Sequence, residues 1–198
     1  MANPINRRKF LRNSIVAGGA AVAWPSFEER ALGAEKKAAA AVKAGAEALE
    51  LPKGRIKQLE ISRMICGGNL IGGWAHSRDL IYVSPLLKAY HTDEKIFETL
   101  RLAERRGVNT VLTNPAADRV LNDYWNLEGG KIQWISDCAS GDIKDSVRRS
   151  VDNGAHAIYL QGGICDKLVH EGKLATIEEG LNFMRTKQVP CGLGAHSL

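Results

Sequence analysis

Five short apolar runs, separated by segments with helical patterning, constrain this chain more than any other feature. Ile61–Cys66, Val108–Leu112, Ile132–Ser136, Ala155–Leu160 and Pro190–Gly194 are mostly continuous in apolar residues rather than strictly alternating. Such runs belong to strands covered on both faces. Between them, Thr92 is placed to cap a helix over Asp93–Arg106, with Asp93 and Glu94 in its first turn and Arg105 and Arg106 in its last. Gly107 is expected to end it, and Ile96, Leu100 and Ala103 form its apolar stripe. Asp142–Asn153 repeats the design with Ile143, Val147 and Val151 before Gly154. Thr176 is expected to cap a third helix carrying Ile177, Leu181 and Met184, and Ala116–Trp125 reads as a shorter fourth.

Strand–helix–strand alternation with short links predicts an α/β domain, with a parallel sheet and helices outside it. Right-handed crossovers leave an open doubly wound sheet or a (β/α)8 TIM barrel. The first strand runs into GGNLIGGW, which is not GxGxxG at a helix start; this weakens the dinucleotide-binding reading, and the barrel is expected. A (β/α)8 barrel takes about 250 residues. Leu51–Leu198 supplies 148, enough for about five units, and stops directly after the fifth run. The expectation is a partial barrel, the N-terminal part of a longer protein. A complete five-stranded flavodoxin-like domain is the competing architecture.

Composition matters mainly for what it excludes. The chain has 198 residues, 44% hydrophobic and 25% charged, with net charge +5, values ordinary for a globular domain. Five of its 27 basic and two of its 22 acidic residues lie in residues 1–34, so the remaining 22 and 20 nearly balance. The charge therefore argues for no nucleic-acid partner. Residues 1–34 read as a leader: a basic stretch to Arg12, the apolar run Ser14–Trp24, then Pro25. That run has 11 residues, where a membrane-spanning helix needs about 20, so no stable span is expected. Arg7-Arg8-Lys9-Phe10-Leu11 resembles the twin-arginine export signal, and Ala31-Leu32-Gly33 offers small residues before a cut at Ala34. The resemblance implies a twin-arginine translocase as export partner and a periplasmic or extracellular location. Residues 35–50, rich in Ala and Lys, read as a linker, and the folded domain is expected over 51–198. Cys66, Cys138, Cys165 and Cys191 contain no CxxC pair, and three lie on or beside strands, where Cys usually packs as a small hydrophobe.

In (β/α)8 enzymes the active site forms at the carboxyl ends of the strands. Asn69, Thr113, Asn114, Asp137, Gln161 and His196 should converge there. Asp137 and His196 suit acid–base work or ligation of a divalent metal; two ligands are too few for a complete site. The 21 residues Ile71–His91 form a long connection with Trp74, His76, Arg78, Asp79, Tyr82, Tyr90 and His91. Long loops on this face often wall a substrate site, and aromatics with polar edges suit a sugar. A packed loop with its own short helix, Leu86–Ala89 included, is the structural alternative. His156 is expected to begin a strand on the opposite face and His170 to lie in a polar loop, both structural or merely exposed.

Three stretches resemble the aldo/keto reductase family. LPKGRIKQLEISRMICGGNLIGGW is similar to its opening, DEKIFETLRLAERRGVNTVLTNPA to its next helix and strand, and GKLATIEEGLNFMRTKQVPCGLGAHS to a later helix and the fifth strand. The resemblance implies a barrel preceded by a small N-terminal β-hairpin, a small carbonyl or sugar substrate, and NADP(H). The catalytic positions depart from the family pattern. Thr113 and Asn114 stand where an Asp is expected, Asp137 where a Lys is expected, and Gln161 where a His is expected; the family's Tyr has no counterpart before Tyr124. Family residues for the NADP phosphates follow the seventh and eighth strands, outside these five. The function expected is an exported aldo/keto reductase-like oxidoreductase-type protein with an altered site: Asp137, His196, Gln161 and Asn114 catalytic, and Asn69, Trp74, His76 and Thr113 binding substrate. Alternatives are a metal-assisted sugar isomerase or lyase and a non-catalytic carbohydrate-binding barrel.

Overall fold

A computed structural model describes residues 50–69, 71–76, 79–139 and 142–196. The expected leader, nearly all of the linker, and Arg78 lie outside the described residues. Two strands, β1 (Lys53–Ile56) and β2 (Leu59–Ser62), pair as an antiparallel hairpin. Five more follow: β3 (Cys66–Gly67), β4 (Thr110–Thr113), β5 (Gln133–Ser136), β6 (Ala157–Leu160) and β7 (Cys191–Leu193). They form one parallel sheet in the order β3-β4-β5-β6-β7. Neighbours in sequence are neighbours in space throughout, so no crossover reverses direction. A doubly wound sheet needs such a reversal, and the flavodoxin-like alternative is thereby set aside.

The helices are α1 (Val83–Tyr90), α2 (Asp93–Arg105), α3 (Asp118–Glu128), α4 (Ile143–Asp152), α5 (Gly162–His170) and α6 (Leu174–Arg185), with a 3-10 turn at Pro115–Ala117. Their ends follow from local chemistry. Thr92 Oγ1 accepts from Lys95 N at 3.5 Å, and Asp142 accepts from Lys144 N and Asp145 N. Gly107 and Gly154 take positive φ (81° and 91°) where α2 and α4 must turn into the next strand. On α2 the buried stripe is Ile96, Phe97, Leu100 and Ala103.

The sheet has two unlike faces. Toward the helices, Val111, Trp134, Ile158 and Leu160 pack with Leu100, Leu121, Val147 and Met184 in the main core. On the other face a smaller cluster holds Ile61, Ile135 and Ala157, with Leu59, Leu112 and Tyr159 against it. The hairpin is tied to the amino ends of β4 and β5. Ser62 N donates to Asn109 Oδ1 and Asn109 N to Ser62 Oγ (2.8 and 3.0 Å), and the Glu60 carbonyl accepts from both Asn109 Nδ2 and Gln133 Nε2 (2.8 Å each).

Four local expectations are corrected. The run Ile61–Cys66 is split: Ile61 and Ser62 belong to the hairpin, and only Cys66–Gly67 pairs with β4. Helix α5 stands where a loop was expected, and His170 is its last residue. Two glycines open it, and glycine's poor helix propensity hides it from sequence. Thr176 is not a cap, because α6 already starts at Leu174 with Lys173 before it. The Ala116–Trp125 helix is a 3-10 turn continued by α3 to Glu128.

Candidate functional site

Parallel strands end at a common edge, so the residues leaving β3 to β7 share one rim. Asn69, Thr113 with Asn114, Asp137, Gln161 and His196 lie there in strand order. The rim begins tightly. Gly68 packs on Thr113 so closely that a Cβ would sit 2.1 Å from Thr113 Cβ, which explains glycine at this turn. Thr113 is buried, and among the described residues its Oγ1 finds no hydrogen-bond partner. Its carbonyl accepts from Trp134 Nε1 at 3.0 Å and from Asp137 N at 3.3 Å.

Two expected catalytic amides are held by capping bonds. Asn114 is buried, and its Oδ1 accepts from Ala116 N at 2.8 Å. Gln161 Oε1 accepts from Ile164 N at 3.0 Å and caps α5. Each bond fixes the side chain through its oxygen and leaves its NH2 group as a donor. At the first strand end, the Asn69 amide donates to His76 Nε2 at 2.9 Å, and Trp74 N donates to the Asn69 carbonyl at 2.7 Å. The loop thus folds back and sets an exposed Trp74 near a polar pair. In the same connection α1 contains the expected Leu86–Ala89 turn.

Asp137 is half-buried, and burial raises its carboxyl above the ordinary range; Oδ1 accepts from Ala139 N at 3.2 Å. The β5–β6 register pairs Ile135 with Ala157 and Ser136 with Ile158, so Tyr159 is the next neighbour of Asp137 on β6. Burial, with Asp137 and Cys138 adding repulsion of the phenolate, pushes the Tyr159 hydroxyl up to about 12. Tyr159 also lines an apolar groove of about 390 Å³ on the face away from the helices, with Leu112, Ile135, Ala157 and Leu193. Beyond Asp137 the chain turns at Cys138 with φ 42°, a left-handed residue that is not glycine. The buried Cys138 thiol lies 3.6 Å from Ser150 Oγ, and burial pushes it up, which makes it a poor nucleophile. All four cysteines are free.

His196 lies beyond β7. Asp166 on α5 meets its Nδ1 at 2.7 Å, and the same carboxylate accepts from the His196 backbone N–H (3.2 and 3.4 Å). Sequence reasoning missed Asp166 because it missed α5. It missed Tyr159 because β6 reads as a continuous apolar run, which hides the alternation of its faces. His156 precedes β6, half-buried against Trp125, and its Nδ1 accepts from Trp134 N at 3.2 Å. It is structural, and burial lowers its pKa.

The metal and cofactor expectations find little to build on. Asp137 and His196 follow β5 and β7 with β6 between, so two strand spacings, about 10 Å, separate them across the sheet, and His196 lies four residues beyond the level of Asp137. Among the described residues no group of three His, Cys, Asp or Glu is placed to hold a metal. NADP(H) would need cations for its phosphates. The strand-end residues Asn69, Thr113, Asn114, Asp137 and Gln161 include no Lys or Arg, so these five positions do not themselves supply a phosphate site. No helix among the described residues is long and apolar enough to cross a membrane.

No protein-family model matches the chain, no curated protein matches it, and no solved structure matches it.

Proposed function

We propose that the chain is an exported, aldo/keto reductase-like protein whose five β/α units are part of a (β/α)8 barrel. Its carboxyl rim would bind a small carbonyl compound or sugar and move protons on it. The strand order carries this reading. Strands that follow chain order, each joined by a helix-bearing crossover, are how a barrel is laid down, and its strand-end residues meet at one mouth. On this reading Asp137 and His196 are the acid–base groups. The amide NH2 groups of Asn114 and Gln161, their oxygens already engaged, donate to a substrate oxygen. Asn69, His76 and Trp74 form the wall on which a sugar ring stacks. The redox step that the resemblance implies is assigned to none of these residues.

Isothermal titration calorimetry with D-glyceraldehyde and with D-glucose tests the proposal. Saturable binding of either, lost in Asn69→Ala and weakened in Gln161→Ala, is expected. No heat from either ligand would overturn it. One observation favours a second reading, carbohydrate binding without turnover: the exposed Trp74 lies beside the Asn69–His76 pair, at the strand end farthest from His196. Glucose binding that needs Trp74 and is indifferent to Asp137→Asn would select it.

A further inference from the structure

We propose that Asp166 is the positioning residue of a proton-transfer site whose acceptor is His196, and that the cleft beside the pair takes a small hydroxylated molecule with an apolar flank. The inference deepens the acid–base reading of the rim and rests on it for the reaction, though not for the geometry. One carboxylate holds both the ring and the main chain of His196, at 2.7 Å to Nδ1 and 3.2 Å to the backbone nitrogen. A surface imidazole held at one point turns about its χ angles; held at two, it keeps one orientation. With Nδ1–H donated to Asp166, the lone pair is on Nε2. The His196 side chain remains 70% accessible, so that lone pair is open to a ligand.

The surroundings suit this use. A Cβ on Gly162 would sit 3.0 Å from His196 Cε1, so glycine at the start of α5 lets the imidazole lie close over the helix. Asp166 also lines a cleft of about 610 Å³ with Val169, His170, Ile177, Leu193 and Ala195, and His196 follows Ala195 just outside that lining. Val169 and Leu193 present exposed apolar surface there. A molecule with an apolar flank that covers that surface has to extend past Ala195 for its hydroxyl to reach the imidazole. A hydroxyl donates to Nε2 before any reaction, which an unactivated C–H does not. In the step itself the substrate O–H bond breaks, an Nε2–H bond forms, and the electron pair stays on oxygen. The imidazolium keeps its Nδ1 contact with Asp166, and returning the proton restores the starting state.

The test compares Nε2 reactivity in the full chain. Diethyl pyrocarbonate acylates neutral imidazole, and peptide mapping by mass spectrometry reads His196 apart from the other histidines. If Asp166 only pins the segment after β7, Asp166→Ala frees the ring and leaves acylation unchanged or faster. If Asp166 orients and polarises the ring, Asp166→Ala slows it severalfold, Asp166→Asn slows it while keeping the contact, and Asp166→Glu restores part of the rate. Long-range 1H–15N spectra above pH 8 give a second measure. His196 should be the Nδ1–H tautomer in the wild type and revert to mostly Nε2–H in Asp166→Ala. For the cleft, trans-cyclohexane-1,2-diol should shift the His196 and Leu193 resonances, and less in Asp166→Ala. Unchanged or faster acylation, an Nε2–H wild type, or no shift with the diol would each overturn the proposal. Absence of glyceraldehyde and glucose binding with slowed acylation would refute the substrate reading and leave the positioning role standing.

Discussion

The two edges of the parallel sheet are built from similar residue types and finished differently. At the amino edge, Ser62, Asn109 and Gln133 are spent on bonds that lock the hairpin beneath β4 and β5. Thr110 Oγ1 also donates to Asn109 Oδ1 at 2.8 Å. At the carboxyl edge, among the described residues, the Thr113 hydroxyl has no partner, no cation raises or lowers the half-buried Asp137, and the His196 side chain stays largely exposed. Polar groups that close on each other stabilise the fold. Groups held in place with capacity to spare cost stability and are free to meet a ligand.

The largest effect expected from this contrast is at the amino edge. Asn109→Ala removes three side-chain hydrogen bonds and should cost about 2–3 kcal/mol at roughly 1 kcal/mol each. The midpoint of urea denaturation measures it, and a cost below a third of that would mean the hairpin is not locked by Asn109. At the carboxyl edge the sign should reverse. Thr113→Val keeps the shape and removes an unpartnered hydroxyl, so a gain of about 1 kcal/mol is expected in the same assay. A loss there would place Thr113 among the spent groups.

The smallest effect is a pH dependence. Burial makes folded Asp137 hold its proton to higher pH than the unfolded chain does. Stability from this residue therefore falls as pH rises from the ordinary Asp range near 3.9 through the raised value, and the penalty persists above it. Asp137→Asn should raise the melting temperature slightly at pH 7, with the gain fading below pH 4. A gain that does not fade at low pH would mean that ionisation is not its cause.

Most of the helical layer was legible in the sequence. Thr92, Asp142, Gly107 and Gly154 act through bonds and φ angles within a few residues of themselves, so their effects can be read locally. The strand ends carrying Asn69, Asn114, Asp137 and Gln161 were found for the same reason, since each lies within three residues of the end of an apolar run. What each group does there was not legible. That Asn114 and Gln161 are caps depends on the turn each chain segment takes after its strand. That Asp137 neighbours Tyr159 depends on the β5–β6 register, and nothing within one strand records its neighbour's offset.

By itself, the sequence determined that this is an α/β chain with five strand-forming runs, a polar residue after each, and helices with defined ends. Those are consequences of periodicity and short-range hydrogen bonding. Only the tertiary structure decided the order of the strands, the division of Ile61–Cys66 between hairpin and sheet, and the meeting of Asp166 with His196 across 30 residues. Such contacts are chosen by burying one surface against another, and that choice is made by the whole chain at once.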